Sequence, residues 1–230
     1  MKPAVLIATH DRLYITSKTI ECLLKQSVIP NIVLVVSNTD ELFYFKTKFP
    51  TVHVIQYNNY PLGQKWQFGV DYIKKALNAS SLTIQGSDDI LSVDYFKNIE
   101  PECDFTGLQY WYIYDPLRTI VYEFEYVPYP FPLGGGRTYS KALLNTIDWQ
   151  IFDTNRNSCL DDKGWNFAQV HGRKTELRYK NDKQNILAVK GQWDVMNPLE
   201  VTLKHKNAKL IATHEDINAK RLLKKMFDYE

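Results

Sequence analysis

Two adjacent acids, Asp88 and Asp89, directly follow a short apolar run in the segment LTIQGSDD. Such a run predicts a buried strand, and open α/β sheets bind ligands outside the carboxyl ends of their strands. Carboxylates are ligands of hard cations such as Mg²⁺, which also take phosphate oxygens of a substrate. We therefore expect Asp88 and Asp89 to hold a divalent cation such as Mg²⁺ against a phosphorylated substrate. The alternative is an Asp-rich turn in which Asp89 caps the next helix.

Polar residues also follow the first two predicted strands. Thr9, Asp11 and Arg12 come after AVLIA, and Asp40 comes after IVLVV. Arg12 is suited to a phosphate and Asp11 to a base or ribose, while an acid in the position of Asp40 binds ribose in nucleotide folds. Each has a structural alternative as a helix cap or a solvated loop residue.

A second acidic pair, Asp161 and Asp162, lies in the segment LDDKGW. A carboxylate near a bound substrate can serve as a general base. Acids in the first turn of a helix are also favoured by the helix dipole, which is the structural alternative. His205 and His214, two lone histidines near the end of the chain, are further candidates to complete a metal shell.

Two other segments could contact a substrate. Gly135, Gly136 and Arg137 belong to a glycine run that lacks the spacing and lysine of a phosphate-binding loop. The run is either a place where a substrate approaches the backbone or a plain bend. Trp111, between two tyrosines, either stacks on a sugar or packs in the core.

These residues must be positioned by the surrounding elements, and the first ninety residues alternate apolar runs with segments of helical periodicity. This β-α-β-α-β-α-β order predicts a Rossmann-like half with a parallel sheet. Right-handed crossovers bring the carboxyl ends of the parallel strands to one rim. The predicted strands cover residues 4–8, 32–36, 52–57 and 82–86.

The pattern changes after the first acidic pair. We expect a short helix beginning at Ser92, antiparallel strands around a turn at residues 115–118, helices over residues 140–147 and 161–170, late edge strands at residues 186–189 and 210–212, and an amphipathic helix over residues 215–229. No repeat or clear linker interrupts the chain. The prediction is one α/β domain over residues 1–230, with halves at 1–100 and 101–230.

Bulk composition excludes several classes of protein. The net charge is +2, from 28 basic and 26 acidic residues, so no strong field is present and nucleic acid is not the expected partner. The three cysteines are far apart without a CxxC pair, which disfavours a zinc site or a disulfide framework. The initial apolar run is too short for a signal peptide, and no apolar segment approaches the length of a membrane span. We therefore expect a soluble, cytoplasmic protein.

Six segments, taken in order, resemble motifs of the GT-A-fold glycosyltransferases, specifically the family-two-like inverting enzymes. The segments are AVLIATHDR, IVLVVSNTD, NNYPLGQKWQFGVDYI, IQGSDD, PLGGGRTYSKALL and LDDKGW. The resemblance covers most of the chain to residue 170. It implies a GT-A fold with a mixed central sheet flanked by helices, a nucleoside-diphosphate sugar donor (a UDP-sugar favoured) and a glycan or glycoconjugate acceptor.

The resemblance also implies residue roles. Asp88 and Asp89 would hold Mn²⁺ or Mg²⁺ on the diphosphate, and His214 is a further candidate ligand. Asp162, with Asp161 second, would be the general base. The nucleotide-sugar contacts would be Thr9, Asp11, Arg12, Asp40, Lys65, Ser87 and Asp88. The acceptor contacts would be Trp111, Gly135, Gly136 and Arg137.

The chain departs from the family pattern at three positions. Gly86 stands where the family's metal motif has an acid, Asp161 where a Glu is usual, and Gln67 where an Asn is common. Two other functions stay open. A sugar nucleotidylyltransferase needs a glycine-rich loop after the first strand, which THDR does not provide. A catalytically inactive nucleotide- or carbohydrate-binding module would keep the acids without transferring a sugar.

Overall fold

The structure, a computed structural model, describes residues 1–126, 131–178, 184–191 and 208–229. Over these residues the elements are β1 (Ala4–Ala8), α1 (Leu13–Leu24), β2 (Asn31–Val36), α2 (Thr39–Lys48), β3 (His53–Gln56), α3 (Leu62–Ala76), β4 (Ser81–Gly86), β5 (Asp89–Leu91), a 3-10 helix (Phe96–Asn98), β6 (Phe105–Leu108), β7 (Tyr110–Asp115), β8 (Ile120–Tyr126), β9 (Arg137–Ser140), α4 (Lys141–Thr146), α5 (Asp161–His171), β10 (Thr175–Arg178), β11 (Ile186–Val189), β12 (Ala208–Glu215) and α6 (Asp216–Phe227). Within these ranges no helix has both the length and the apolar character needed to cross a membrane.

A seven-stranded sheet forms in the order β10-β6-β9-β4-β1-β2-β3. Strand β1 pairs in parallel with both β2 and β4, and β2 pairs in parallel with β3. Their apolar runs are nearly continuous because helices and the second sheet cover both faces. The predicted β-α-β-α-β-α-β half is confirmed, and the carboxyl ends of its strands meet on one rim.

A second, five-stranded sheet has the order β12-β8-β7-β11-β5. Strands β7 and β8 form the antiparallel pair expected around residues 115–118. Strand β11 was expected at a sheet edge, but it lies between β7 and β5. The expected edge position holds for β12, which is the outermost strand beside β8.

The short helix expected over residues 92–99 is largely wrong, because the structure has only a 3-10 helix at Phe96–Asn98 in that range. The chain passes from β4 directly into β5, so it leaves the first sheet and enters the second at Ser87 and Asp88. Ser92 caps no helix there, and its hydroxyl accepts the Asn185 N–H at 3.0 Å. Strand β5 exists because it pairs with β11, almost a hundred residues later, and local pattern does not reveal such a distant partner.

The remaining helices match expectation. Ser140 caps α4, where its side chain accepts the Leu143 N–H. Helix α5 begins at the second acidic pair, and helix α6 covers the five-stranded sheet through buried Ala219, Leu223 and Phe227. The amphipathic character of α6 is therefore accounted for by packing on the domain.

Helix α3 crosses the parallel strands at Gly69. A Cβ atom there would lie 2.4 Å from Leu6 Cδ1 and 2.8 Å from Val35 Cγ2. The helix therefore approaches β1 and β2 more closely than any larger residue allows. This close approach sets the position of α3, which carries residues of the rim described below.

We expect Gly69→Ala to lower the free energy of unfolding by about 1–3 kcal/mol, because the added methyl group overpacks the interface with β1 and β2. The loss occurs although alanine is the better helix former by about 1 kcal/mol. Urea unfolding measures the change, with Lys75→Ala, exposed on the same helix, as a near-neutral control. An unchanged or raised stability in Gly69→Ala would show that α3 does not need this close approach.

Candidate functional site

The buried amino group of Lys65 connects the loops that follow the parallel strands by hydrogen bonds. This side chain, from α3, is 0% exposed. Its Nζ donates to the Thr9 carbonyl, to Ser37 Oγ at 2.6 Å and to Asn59 Oδ1 at 3.0 Å. These acceptors follow β1, β2 and β3. Lys65, expected to line the nucleotide, lies beneath the rim and positions the loops above it.

A second buried charge, Glu41, ties the loops after β1 and β2 together. One carboxylate oxygen accepts the Asp11 N–H and the other the Ser37 N–H, both at 2.7 Å. Glu41 is 3% exposed, and sequence reasoning chose its neighbour Asp40 instead. The signal was present, because Asn38 followed three residues later by Glu is a helix-capping pattern. Asn38 does accept the Glu41 N–H.

The predicted nucleotide contacts of these loops differ in exposure. Thr9 is buried, and its hydroxyl lies 2.8 Å from Thr16 Oγ1. Asp11 and Asp40 are exposed. Asp11 has a backbone φ of +55°, in the left-handed region that Asp tolerates better than most residues. The structure thus presents two carboxylates to solvent at the rim, while Arg12 turns towards the acids after β4.

Asp88 lies at the crossing between the two sheets and is flanked by two cations. Its Oδ1 lies 3.4 Å from an Arg12 guanidinium nitrogen, and its Oδ2 lies 3.1 Å from Lys190 Nζ. The Asp88 side chain is 12% exposed. The preceding residue, Ser87, is also buried, and its carbonyl accepts the Thr19 hydroxyl at 3.0 Å. Lys190 was not predicted, and nothing in its local sequence distinguishes it from other lysines.

Asp89 folds back on the turn that precedes it. Its Oδ2 accepts the Gly86 N–H at 3.0 Å. A Cβ atom on Gly86 would lie 2.6 Å from that oxygen. The acid that the family pattern has at this position therefore cannot be accommodated with Asp89 in this conformation.

We tested whether these residues suit a divalent cation. The described residues hold two clusters of three potential ligands, and neither includes Asp88 or Asp89: His10, Asp11 and Glu41 form one, and Glu100, Cys103 and Glu176 the other. One or two carboxylates suffice when substrate phosphates and water complete the shell. Asp88, with Asp89 beside it, therefore fits Mn²⁺ or Mg²⁺ as part of a complex with a diphosphate.

The glycine segment before β9 lies between the two acidic pairs. A Cβ atom on Gly135 would lie 2.4 Å from Asp89 Oδ2, and one on Gly134 would lie 3.0 Å from Asp161 Oδ2. Gly136 has a φ of +74°, and its N–H bonds to the carbonyl at the end of β4. Asp89 and Asp161 therefore both lie against this segment, which sequence separation alone did not show.

Arg137 fixes the start of α5. Its Nε donates to the Leu133 carbonyl at 2.6 Å, and one terminal nitrogen donates to the Pro132 carbonyl at 2.8 Å. The terminal nitrogens also contact the Asp161 carbonyl and, at 3.4 Å, Asp161 Oδ2. The side chain is buried. Expected to contact an acceptor, Arg137 instead orients a candidate catalytic carboxylate.

A cleft of about 240 Å³ opens between Asp89 and Asp161. Asp161 lines this cleft, whereas the lining does not include Asp162, which is exposed on α5. Trp66 and Phe152 form an aromatic wall, with ring centroids 5.5 Å apart and planes inclined by 26°. Further lining residues are Leu62, Ile84, Asn157, Ser158, Cys159 and Leu160. The sequence had placed Trp66 only on a helix stripe.

Trp111 lies away from this cleft. It is buried on β7 and stacks on Phe124, with ring centroids 5.5 Å apart. It belongs to the apolar core that includes residues of both sheets. Trp111 therefore packs in the core, which was the alternative to stacking on a sugar.

His214 is placed too far from Asp89 to share an ion with it. His214 lies on β12 and Asp89 on β5, at opposite edges of the five-stranded sheet. Four strand spacings separate them, about 19 Å. His214 Nε2 instead contacts the buried Glu123 carboxylate, which also accepts the Tyr110 hydroxyl. His205 lies outside the described residues.

Burial lowers the pKa of Lys65 to about 8, with the Glu41 carboxylate opposing the shift. We expect ¹³C-lysine NMR to show one lysine that titrates near pH 8 and is missing from Lys65→Met. At pH values between this lowered pKa and the ordinary pKa of lysine, the unfolded chain binds more protons than the folded protein does. The stability of the wild type relative to Lys65→Met should therefore rise with pH across that window.

Lys74→Met, which removes an exposed lysine of α3, is the matched control and should keep the titration near pH 8. A spectrum in which every lysine titrates with the ordinary pKa of an exposed lysine would contradict the buried position of Lys65.

No protein-family model and no curated protein sequence matches the chain. Solved structures do match. S. aureus TarS residues 1–349 in complex with UDP-GlcNAc aligns with a TM-score of 0.63 at 17% identity, over 86% of this chain and 61% of that one. The mannosyltransferase PcManGT from Pyrobaculum calidifontis, in complex with GDP-Man and Mn²⁺, aligns with a TM-score of 0.53 at 10% identity, over 85% and 58% of the two chains.

The chain spans about three fifths of the length of these two solved chains, and 36% of the longer solved chain of TarS. At such low identity the likeness establishes the fold. The central mixed sheet flanked by helices and the rim of strand ends both belong to that fold. The chain therefore has a GT-A-like fold of the kind found in nucleotide-sugar transferases.

Proposed function

We propose that the protein is a glycosyltransferase that moves a sugar from a nucleoside-diphosphate sugar, a UDP-sugar being favoured, to a hydroxyl group of a glycan or glycoconjugate. The observation that carries this proposal is the placement of Asp89 and Asp161 beside adjacent glycines of one segment, where both line one cleft. The cleft lies at the carboxyl ends of the parallel strands, where α/β sheets bind nucleotides. The GT-A-like fold supports the same function.

The donor's nucleoside binds on the rim, where Asp11 and Asp40 expose their carboxylates. Lys65 and Glu41 hold the loops beneath them and are occupied by protein partners. The diphosphate then reaches Asp88 and Arg12 at the crossing between the sheets. Asp88, with Asp89, would hold Mn²⁺ or Mg²⁺ there, and the ion would offset the charge that develops on the leaving nucleoside diphosphate.

The acceptor binds against the aromatic wall of Trp66 and Phe152, because the apolar face of a sugar ring packs well on aromatic side chains. Its hydroxyl oxygen attacks the anomeric carbon as the bond from that carbon to the diphosphate breaks. A carboxylate of the second acidic pair takes the hydroxyl proton, and this single displacement inverts the anomeric configuration. The resemblance implies that Asp162 is this general base. The cleft geometry favours Asp161, which Arg137 contacts.

Donor binding is tested by thermal stabilisation with the uridine, guanosine and thymidine diphosphates, each with Mn²⁺ and with chelator. A diphosphate present at 100 times its dissociation constant should add about 2.7 kcal/mol of stability. We expect this effect from one of the three, and we expect Asp11→Asn to weaken it. Asp148→Asn, a remote exposed carboxylate, is the control. No stabilisation by any of the three would overturn the proposal.

The base is identified by comparing Asp161→Asn with Asp162→Asn. Hydrolysis of the donor sugar, which is transfer to water, provides an assay without a known acceptor. We expect Asp161→Asn to slow hydrolysis by about 10²–10⁴-fold, the usual contribution of a general base, while nucleotide stabilisation persists. Asp162→Asn should stay within a few-fold of the wild type.

The reverse pattern would assign the base to Asp162, as the resemblance implies. Full activity in both variants would exclude a base from this pair. A protein that binds a nucleoside-diphosphate sugar but neither transfers nor hydrolyses that sugar would be the non-catalytic binding module instead.

A further inference from the structure

Lys190 contacts the acidic pair, although it follows β11, an interior strand of the second sheet that comes from a distant part of the chain. The residue before it, Val189, donates its N–H to the Asp88 carbonyl at 2.9 Å, and the Lys190 N–H bonds to the Tyr114 carbonyl at 2.9 Å. Its side chain is only 10% exposed. Both the backbone and the side chain of this segment are therefore anchored, and the ammonium group is aimed at Asp88.

The electrostatics at Asp88 oppose a metal ion in the protein alone. One carboxylate faces two cations, Arg12 at 3.4 Å and Lys190 at 3.1 Å. The side chains of all three residues are largely shielded from solvent, so the charges are weakly screened. A divalent cation that approaches Asp88 therefore meets two positive charges, and the neighbouring carboxylate, Asp89, already accepts the Gly86 N–H.

A diphosphate changes this balance, because it brings negative charge to the same place. With a diphosphate present, the carboxylate can coordinate the metal while the displaced ammonium pairs with a phosphate oxygen. Lysine is suited to this exchange, since its ammonium is a compact charge on a flexible stem that binds phosphate without a fixed bidentate geometry.

We propose that Lys190 occupies the cation position on Asp88 in the protein alone, and that it moves to the donor's diphosphate when metal and donor bind together. Metal and nucleoside diphosphate then bind cooperatively, and neither binds well without the other. The second step rests on the proposed function, whereas the first rests only on the contacts of Asp88.

The first step is tested by titrating the protein with Mn²⁺ alone, without nucleotide, and following the ion by electron paramagnetic resonance. We expect Lys190→Met to bind Mn²⁺ about tenfold more tightly than the wild type, or better. That is the scale on which one opposite charge at this distance changes the proton affinity of a carboxylate. Adding Asp88→Asn to Lys190→Met should abolish the gain.

Lys74→Met carries the same change of charge at a remote exposed site and should leave Mn²⁺ affinity unchanged. Arg12→Gln, which removes the other cation, is the second variant and should also strengthen Mn²⁺ binding. It keeps the test decisive if Lys190→Met does not fold by circular dichroism. Unchanged or weaker Mn²⁺ binding in a folded variant would overturn the proposal.

The second step is tested by comparing the affinities of nucleoside monophosphate and diphosphate, using the base found by thermal stabilisation. Lys190→Met should weaken diphosphate binding at least about tenfold while monophosphate binding changes little, because only the diphosphate reaches Lys190. Equal losses for both ligands would overturn the second step. Failure of every nucleotide to bind would overturn the proposed function and leave the Mn²⁺ result standing.

Discussion

The crossing of the chain from one sheet to the other at Ser87 and Asp88 is the constraint on which the rest of the site depends. A carboxylate at such a crossing is almost buried and needs compensating charge. Arg12, from the loop after β1, and Lys190, from the segment after β11, supply it. The segments that follow β1, β4 and β11 therefore meet at Asp88. That point is also the end of a parallel strand, where the fold favours ligand binding.

The rim is organised by a second set of buried charges that hydrogen-bond to groups of the loops. Lys65 donates to groups that follow three parallel strands, and Glu41 accepts backbone N–H groups from two loops. Since these side chains satisfy the buried polar groups of the loops, the exposed carboxylates of Asp11 and Asp40 are left to face solvent. Under the proposed function, loops held in this way would need little rearrangement when a nucleotide binds, which favours binding.

Small residues determine how the acidic pairs meet. The glycine segment before β9 lies against both Asp89 and Asp161, and a Cβ atom would crowd Asp89 at Gly135 and fit only tightly beside Asp161 at Gly134. Arg137, from the start of β9, also contacts Asp161. The same local sequence, GGGR, therefore provides both close approach and orientation.

The sequence by itself determined the parallel half of the fold and the acidic pairs at element ends. Continuous apolar runs predicted β1 to β4, because strands buried on both faces carry no alternation. It also placed Asp161 and Asp162 at the start of α5. The tertiary structure alone decided the rest. Strand β5 depends on a partner almost a hundred residues away, and Lys190 reaches Asp88 only through that pairing.

The same distinction separates neighbouring residues. Glu41 rather than Asp40 is buried, Asp161 rather than Asp162 lines the cleft, and Trp66 rather than Trp111 borders it. Sequence spacing shows that a residue stands at the end of a strand or the start of a helix. The direction of its side chain depends on backbone dihedral angles and on packing with segments that are distant in the chain, so only the folded structure decides which carboxylate meets a substrate.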